Sequence, residues 1–195
     1  MERAASITRR TGETDIQVDL RLDGAGEAEI YTGVPLFDHL LGSFARHGLF
    51  DLSVRAKGDL EVDQHHTVED VGISLGQALL EAVGDRSGLV RFGSARVPMA
   101  DALATVDLDL SNRPFFVYRV QLPRDWVGQF DAALVEDFLY ALCTNGGIDL
   151  HVDLVYGRNI HHCVEAIFKA LGRALDQATR QDPRICGALS TKGTL

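Results

Sequence analysis

Ile16, Val18, Leu20 and Leu22 alternate with Gln17, Asp19 and Arg21, the period-two pattern of a half-buried strand, and Asp23-Gly24-Ala25-Gly26 follows with turn chemistry. This predicts a hairpin at the start of the fold. Leu36, Leu40, Leu41 and Phe44 then keep helical spacing after Pro35, a favoured helix-start residue, and Gly48 ends the run. A strand follows over 49–56, and Val68, Val71, Leu75, Leu79 and Ala82 form the apolar stripe of a helix starting near His65 and stopping near Gly84. The second half predicts strands near 104–110 and 115–122, a helix near 132–143, a strand near 148–156 and a helix over about 160–178.

Both halves therefore read strand, strand, helix, strand, helix. The parallel extends to residues, because His65-His66-Thr67-Val68-Glu69 matches His161-His162-Cys163-Val164-Glu165 at the start of the corresponding helix. An internal duplication is the simplest account, with halves at about 1–92 and 93–195 inside one domain. The fold class expected is α+β, with the helices packed on one face of mainly antiparallel sheets. Sliding one half over the other sets His39 opposite Asp137.

Composition narrows the function. The chain has 195 residues, 46% apolar and 24% charged, which describes an ordinary globular protein. A net charge of −9 argues against a nucleic-acid partner, and any anionic ligand must meet a local basic pocket. No apolar run approaches the 18 or so residues of a membrane span, and the N-terminus lacks the apolar core of a secretory signal, so a cytosolic location is expected. The three cysteines, Cys143, Cys163 and Cys186, have unrelated spacings and read as reduced thiols.

The paired histidines carry the chemistry. On a helix, residues three and four apart share a face, so Glu69 converges with His65 or His66, and Glu165 with His161 or His162. Adjacent histidines point about 100° apart, so each pair is expected to serve two different metals. With His39 and Asp137 these segments supply eight nitrogen and oxygen donors, enough for two ions with four protein ligands each. Imidazole and carboxylate without thiolate suit manganese, iron or zinc, and open six-coordinate sites favour manganese or iron. A single His-His-x-x-Glu would read equally well as an exposed helix start; two copies at equivalent positions, in a chain with seven histidines, favour metal. His151, in an apolar strand pattern, reads as a hydrogen-bonded structural histidine, and His47 as a helix C-terminal cation.

Several segments together resemble the imidazoleglycerol-phosphate dehydratases: Thr11-Gly12-Glu13-Thr14, Phe37-Asp38-His39-Leu40, His65-His66-Thr67-Val68-Glu69-Asp70, His161-His162-Cys163-Val164-Glu165 and Ser190-Thr191-Lys192-Gly193. The match in order and spacing runs over nearly the whole chain. The resemblance implies a cytosolic enzyme of histidine biosynthesis that converts imidazoleglycerol phosphate to imidazole-acetol phosphate and water, with two manganese ions per active site. Because an imidazole ring has two nitrogens, two ions can hold its deprotonated form, and the imidazolate is expected to expel the adjacent hydroxyl. It also implies a 24-subunit homo-oligomeric shell with metals between neighbouring subunits.

By position the implied metal ligands are His39, His65, His66, Glu69, His161, His162 and Glu165, with Asp137 where many members have another histidine. That departure predicts a retained site with altered affinity or metal preference. Asn112 stands for the usual glycine, and the segment 98–101 lacks one acid common in the family. The resemblance assigns the substrate phosphate to Arg91, Arg113, Lys169, Ser190 and Lys192, consistent with the need for converging cations in an acidic protein. It assigns proton transfer to Glu13. A metal-storage oligomer and a two-metal hydrolase are the competing readings; the first leaves the phosphate-type cations unexplained, and the second usually relies on more aspartates.

Overall fold

A computed structural model describes residues 2–122 and 126–192. The chain runs β1 (Ala4–Arg10), β2 (Thr14–Arg21), β3 (Ala28–Tyr31), α1 (Pro35–Gly48), β4 (Asp51–Gly58), α2 (His65–Val83) and β5 (Phe92–Met99). It continues with β6 (Ala102–Asp109), β7 (Phe115–Arg119), β8 (Trp126–Val127), β9 (Phe130–Asp131), α3 (Leu134–Gly146), β10 (Asp149–Tyr156) and α4 (Ile160–Thr179). The first sheet has the order β1-β2-β4-β3 and the second β5-β6-β10-β7, the same connectivity repeated. In each, the only parallel pairing is at one edge, β3 with β4 and β7 with β10.

The alternation read from the sequence decides which face of each sheet is covered. Ile16, Val18 and Leu20 are buried, as are Leu52 and Val54 on β4, Val106 and Leu108 on β6, and Leu150 and Val152 on β10. Helices α1 and α2 cover the first sheet, α3 and α4 the second, and the two helical pairs pack against each other as α1 on α4 and α2 on α3. The core is therefore a central helical layer between two sheets.

Three details differ from the sequence reading. The opening hairpin is β1–β2, closed at residues 11–13; the turn at 23–26 leads to β3, which pairs with β4 rather than folding back on β2. Strands β1 and β5 escape the apolar pattern because they are edge strands with few buried side chains, and Pro98 in β5 is tolerated there. The small β8–β9 hairpin lacks a counterpart in the first half, and Pro123, Arg124 and Asp125 before it lie outside the described residues, as do Met1 and the family-type Gly193.

Gly48 does not take the left-handed C-cap; Leu49 does, at φ 57°. Gly48 is instead where two helices nearly touch. A Cβ on Gly172 would lie 2.4 Å from the Phe44 carbonyl oxygen and 3.0 Å from the Gly48 nitrogen. The other crossing repeats this: a Cβ on Gly76 would lie 2.8 Å from the Leu142 carbonyl oxygen and 2.9 Å from the Gly146 nitrogen. Both helix pairs thus meet backbone to backbone at a glycine pair. Gly172→Ala is expected to push α1 from α4 and to destabilise the fold by about 2 kcal/mol, read from urea unfolding. An unchanged midpoint would show that the crossing is not tight.

Candidate metal centre and active site

Helices α2 and α4 present their histidine pairs in the first turn. At α4 the Asn159 side chain caps the helix by accepting from the backbone N–H groups of His161 and His162; before α2, Asp63 accepts from the His65 N–H at 2.8 Å. The rings within each pair diverge, His65 and His66 at 78° and His161 and His162 at 85° between planes. One ring of each pair joins a cluster inside the chain, and the other turns to a separate carboxylate.

The tighter cluster spans the α1–α4 crossing. His39 from α1 and His161 from α4 direct Nε2 to the same Glu165 oxygen, at 3.2 and 3.1 Å, and their rings stack 5.4 Å apart. Among the described residues this is the one group of three candidate donors whose ligand atoms all lie within 4.8 Å of one another. Separations near 3 Å are what adjacent donors on an octahedron take when bonds are about 2.1 Å long, so the trio fits a divalent ion. Glu165 is buried, and burial alone would raise its pKa. Lys169 at 2.8 Å and His39 outweigh burial and hold the pKa down to about 2, so the carboxylate is an anion at any working pH.

The repeat-related set lies across the α2–α3 crossing. His65 faces Glu69 through Nε2 at 3.7 Å and Asp137 through Nδ1 at 3.4 Å. Asp137 occupies the place of His39, but the two carboxylates sit on opposite edges of the ring, so these donors are less convergent than the first trio. The set borders a cavity of about 470 Å³ whose wall includes Trp126, Gln129 and Leu60.

The remaining histidines are oriented by acids that the sequence pattern did not single out. His66 Nδ1 lies 3.0 Å from Asp59, which raises the ring pKa, and His162 Nδ1 lies 2.6 Å from Asp101, whose own pKa is held well below the usual carboxylate range chiefly by that contact. In both cases Nδ1 is engaged, which directs Nε2 outward. Glu13, exposed on the β1–β2 turn, lies 3.8 Å from His66 Nε2. Buried Asp70 ties that turn to α2, accepting from Arg9 at 2.9 Å and from the Thr14 hydroxyl.

At the C-terminal end a cavity of about 630 Å³ gathers Arg91, Arg113, Ser190 and Lys192, together with Arg184, which was not anticipated. Arg91, itself at φ 75°, makes two bonds to Asp109 (2.6 and 2.7 Å) and donates to the Leu189 carbonyl at 2.6 Å, fastening the tail to the second sheet. Among the described residues the Arg113 guanidinium reaches a backbone carbonyl, 3.3 Å away on Ser111, and no carboxylate. Lys169 does not line this cavity and instead neutralises Glu165. His151 sits on the outer face of the second sheet, bonded to Asp149 at 3.0 Å, apart from both donor sets. His47 departs from the expectation of a helix-terminal cation: burial, then Lys169 and Arg173, lower its pKa and disfavour its charged form.

A family profile described as imidazoleglycerol-phosphate dehydratase matches residues 32–175, a span that contains both histidine pairs, His39 and Asp137. The chain belongs to the imidazoleglycerol-phosphate dehydratase family. It is accordingly a hydro-lyase of histidine biosynthesis. Curated imidazoleglycerol-phosphate dehydratases from Geobacter metallireducens and Geobacillus kaustophilus are 56% and 57% identical to it over 195 residues, covering 100% of both chains in each case. The solved dehydratase from Staphylococcus aureus superposes with a TM-score of 0.84 at 37% identity, covering 92% of this chain and 99% of that one. The Pyrococcus furiosus dehydratase, solved in complex with (S)-C348, gives a TM-score of 0.84 at 39% identity, covering 97% and 100%. Imidazoleglycerol-phosphate dehydratases of this kind thus share the whole two-sheet architecture with the chain, and a possible metal site lies at His39, His161 and Glu165.

Proposed function

We propose that this chain dehydrates imidazoleglycerol phosphate to imidazole-acetol phosphate with the two donor sets each holding a divalent ion, manganese by preference. The observation that carries this reading is the trio of His39, His161 and Glu165, pseudo-symmetric with Asp137, His65 and Glu69. His39, His161 and Glu165 would hold one ion and His65, Glu69 and Asp137 the other, and bound there the ions would supply positive charge that lowers the pKa of the substrate ring and so favours loss of the hydroxyl on the carbon attached to it.

The protein's own groups do the rest. Once hydroxide has left the carbon attached to the ring, Glu13, in reach of His66, takes the proton from the next carbon along, giving an enol, and returns a proton to the ring-attached carbon as the enol becomes the ketone; Asp70 keeps the Glu13 turn against α2. Asp59 and Asp101 hold His66 and His162 with Nε2 free to bind. Arg113, Arg91, Ser190 and Lys192 receive the phosphate; Lys169, which pairs with Glu165 outside this cavity, would reach the phosphate only from a neighbouring copy.

Each donor set within one chain offers three groups, and His66 and His162 turn outward, half-exposed, with imidazole edges unused. We infer that they complete the sites of neighbouring subunits in a homo-oligomeric shell of the 24-subunit kind. Phe92 and Phe115, exposed on the outer face of the second sheet, support burial of that face between copies. No helix among the described residues is long and apolar enough to cross a membrane. Asp137 in place of histidine would retain its site with altered metal preference.

The test is to strip the protein with chelator, supply imidazoleglycerol phosphate with and without manganese, and assay imidazole-acetol phosphate. Product is expected only with manganese, and the assembly is expected to shrink on stripping. An active, intact particle after complete metal removal would sink the reading. Asp101→Asn should weaken metal binding about 10–100-fold while leaving the fold intact, checked by metal titration and circular dichroism. Unchanged affinity would remove Asp101 from the site.

A further inference from the structure

Remote from the donor sets, where the C-terminal ends of α1 and α4 meet β5, lies a cavity of about 520 Å³. Arg46 and His47 from α1, Arg96 from β5, and Arg173 and Arg180 from α4 line it, and its single acid is Asp176. Arg173 stands two turns beyond Glu165, about 12 Å along the helix axis, so the cavity is separate from the metal ligands. It is also distinct from the cavity that gathers Arg91, Arg113 and Lys192.

Its charge is not neutralised from within. Asp176 is already paired with Arg180, at both guanidinium nitrogens that face it. Among the described residues Arg46, Arg96 and Arg173 have no carboxylate partner, and Arg46 reaches only the Ala25 carbonyl, at 3.3 Å. Arginines elsewhere in this acidic chain, such as Arg9, Arg21, Arg91, Arg119 and Arg184, each pair with an aspartate. Three unpaired guanidinium groups around one concavity, in a protein of net charge −9, leave a strong local positive potential. His47 senses it: burial first, then Lys169 and Arg173, make its protonation unfavourable.

The geometry points to a second anion site: we propose that Arg46, Arg96 and Arg173 bind a small multivalent anion of the phosphate class, either inorganic phosphate or a phosphate monoester. Guanidinium forks bond two oxygens each, and three forks provide more donors than one carboxylate has acceptor positions, whereas the oxygens of a phosphate can use them. Gln177 and Ser94 at the rim are joined to each other through the Ser94 N–H at 3.0 Å, which leaves the arginines as the recognising groups. This site is independent of the dehydration chemistry.

Equilibrium dialysis of the metal-loaded protein against inorganic phosphate, and separately against glycerol 3-phosphate, would count bound anions per chain. Three proteins are compared: wild type, Arg96→Gln/Arg173→Gln, and Arg113→Ala as a control for the other cavity. Both arginines of the double variant are exposed, so folding should be preserved. The expected result is two classes of site in the wild type. The double variant should lose one, with affinity there falling about tenfold or more, and Arg113→Ala should weaken only the other. Tighter binding of phosphate or of the monoester would say which form the site takes. A double variant that binds as many anions as wild type would overturn the proposal. So would a changed assembly mass with unchanged anion binding, which would make these arginines contacts between copies. A failure confined to the Arg113 control would bear on the substrate cavity instead.

Discussion

Glu165→Ala is expected to strip metal from the tighter donor set and to lower turnover by more than about 100-fold, because the loss of a ligand should exceed the roughly 10–100-fold cost of losing an outer-shell partner. Glu165 is the point on which His39 and His161 converge, and it is a buried anion balanced by Lys169. Removing it abolishes the convergence and leaves Lys169 without its counter-charge, so a loss of thermal stability should accompany the loss of metal. Glu165→Gln keeps the shape of the side chain and separates the two effects: it should recover much of the stability but little of the metal. Metal content by atomic emission, melting temperature and initial rate decide the matter. A variant with full metal content and near-normal rate would show that the trio is not a metal site.

Glu13→Gln should behave in the opposite manner. Its carboxyl lies beside His66 but belongs to neither donor set, so metal content and particle size are expected to be unchanged. Turnover should fall about 10²–10⁴-fold, the usual worth of a positioned general acid or base. The amide preserves size and polarity while removing the ability to take a proton, so KM should move far less than kcat. A rate close to that of the unaltered protein would remove Glu13 from the mechanism and leave proton transfer to another group.

Much of this site was legible before any coordinates, and for a physical reason. The paired histidines occupy helix first turns and their glutamates the next turn, where i and i+4 share a face, so the approach of His65 to Glu69 and of His161 to Glu165 follows from spacing alone. The divergence of adjacent histidines follows from the same helical geometry, and repeat alignment sets Asp137 opposite His39; its carboxylate lies 3.4 Å from His65 Nδ1. What stayed hidden depends on contacts between segments remote in sequence. Asp101 lies 61 positions before His162, and nothing local in the segment 98–101 marks it as a partner. Arg184 faces the C-terminal cavity because the tail folds back, held by Arg91.

The same division holds for the fold. Strands with strong alternation, such as β2 and β6, announce themselves, whereas β1 and β5 bury too few side chains to leave a period-two trace. The close approach at Gly172 gives no sequence signal at all, since a glycine in mid-helix reads merely as a weak helix former.

Those glycine crossings bear on how a duplicated protein can specialise. The distance between α1 and α4, and between α3 and α2, is fixed by backbone touching backbone at Gly48 with Gly172 and at Gly146 with Gly76, below the level of the donor side chains. The frame therefore does not depend on which ligands it carries. One crossing holds an imidazole at residue 39 and the other a carboxylate at residue 137, on scaffolds that remain matched. Geometry stored in the main chain leaves the two halves free to drift apart in chemistry while keeping a matched helix crossing.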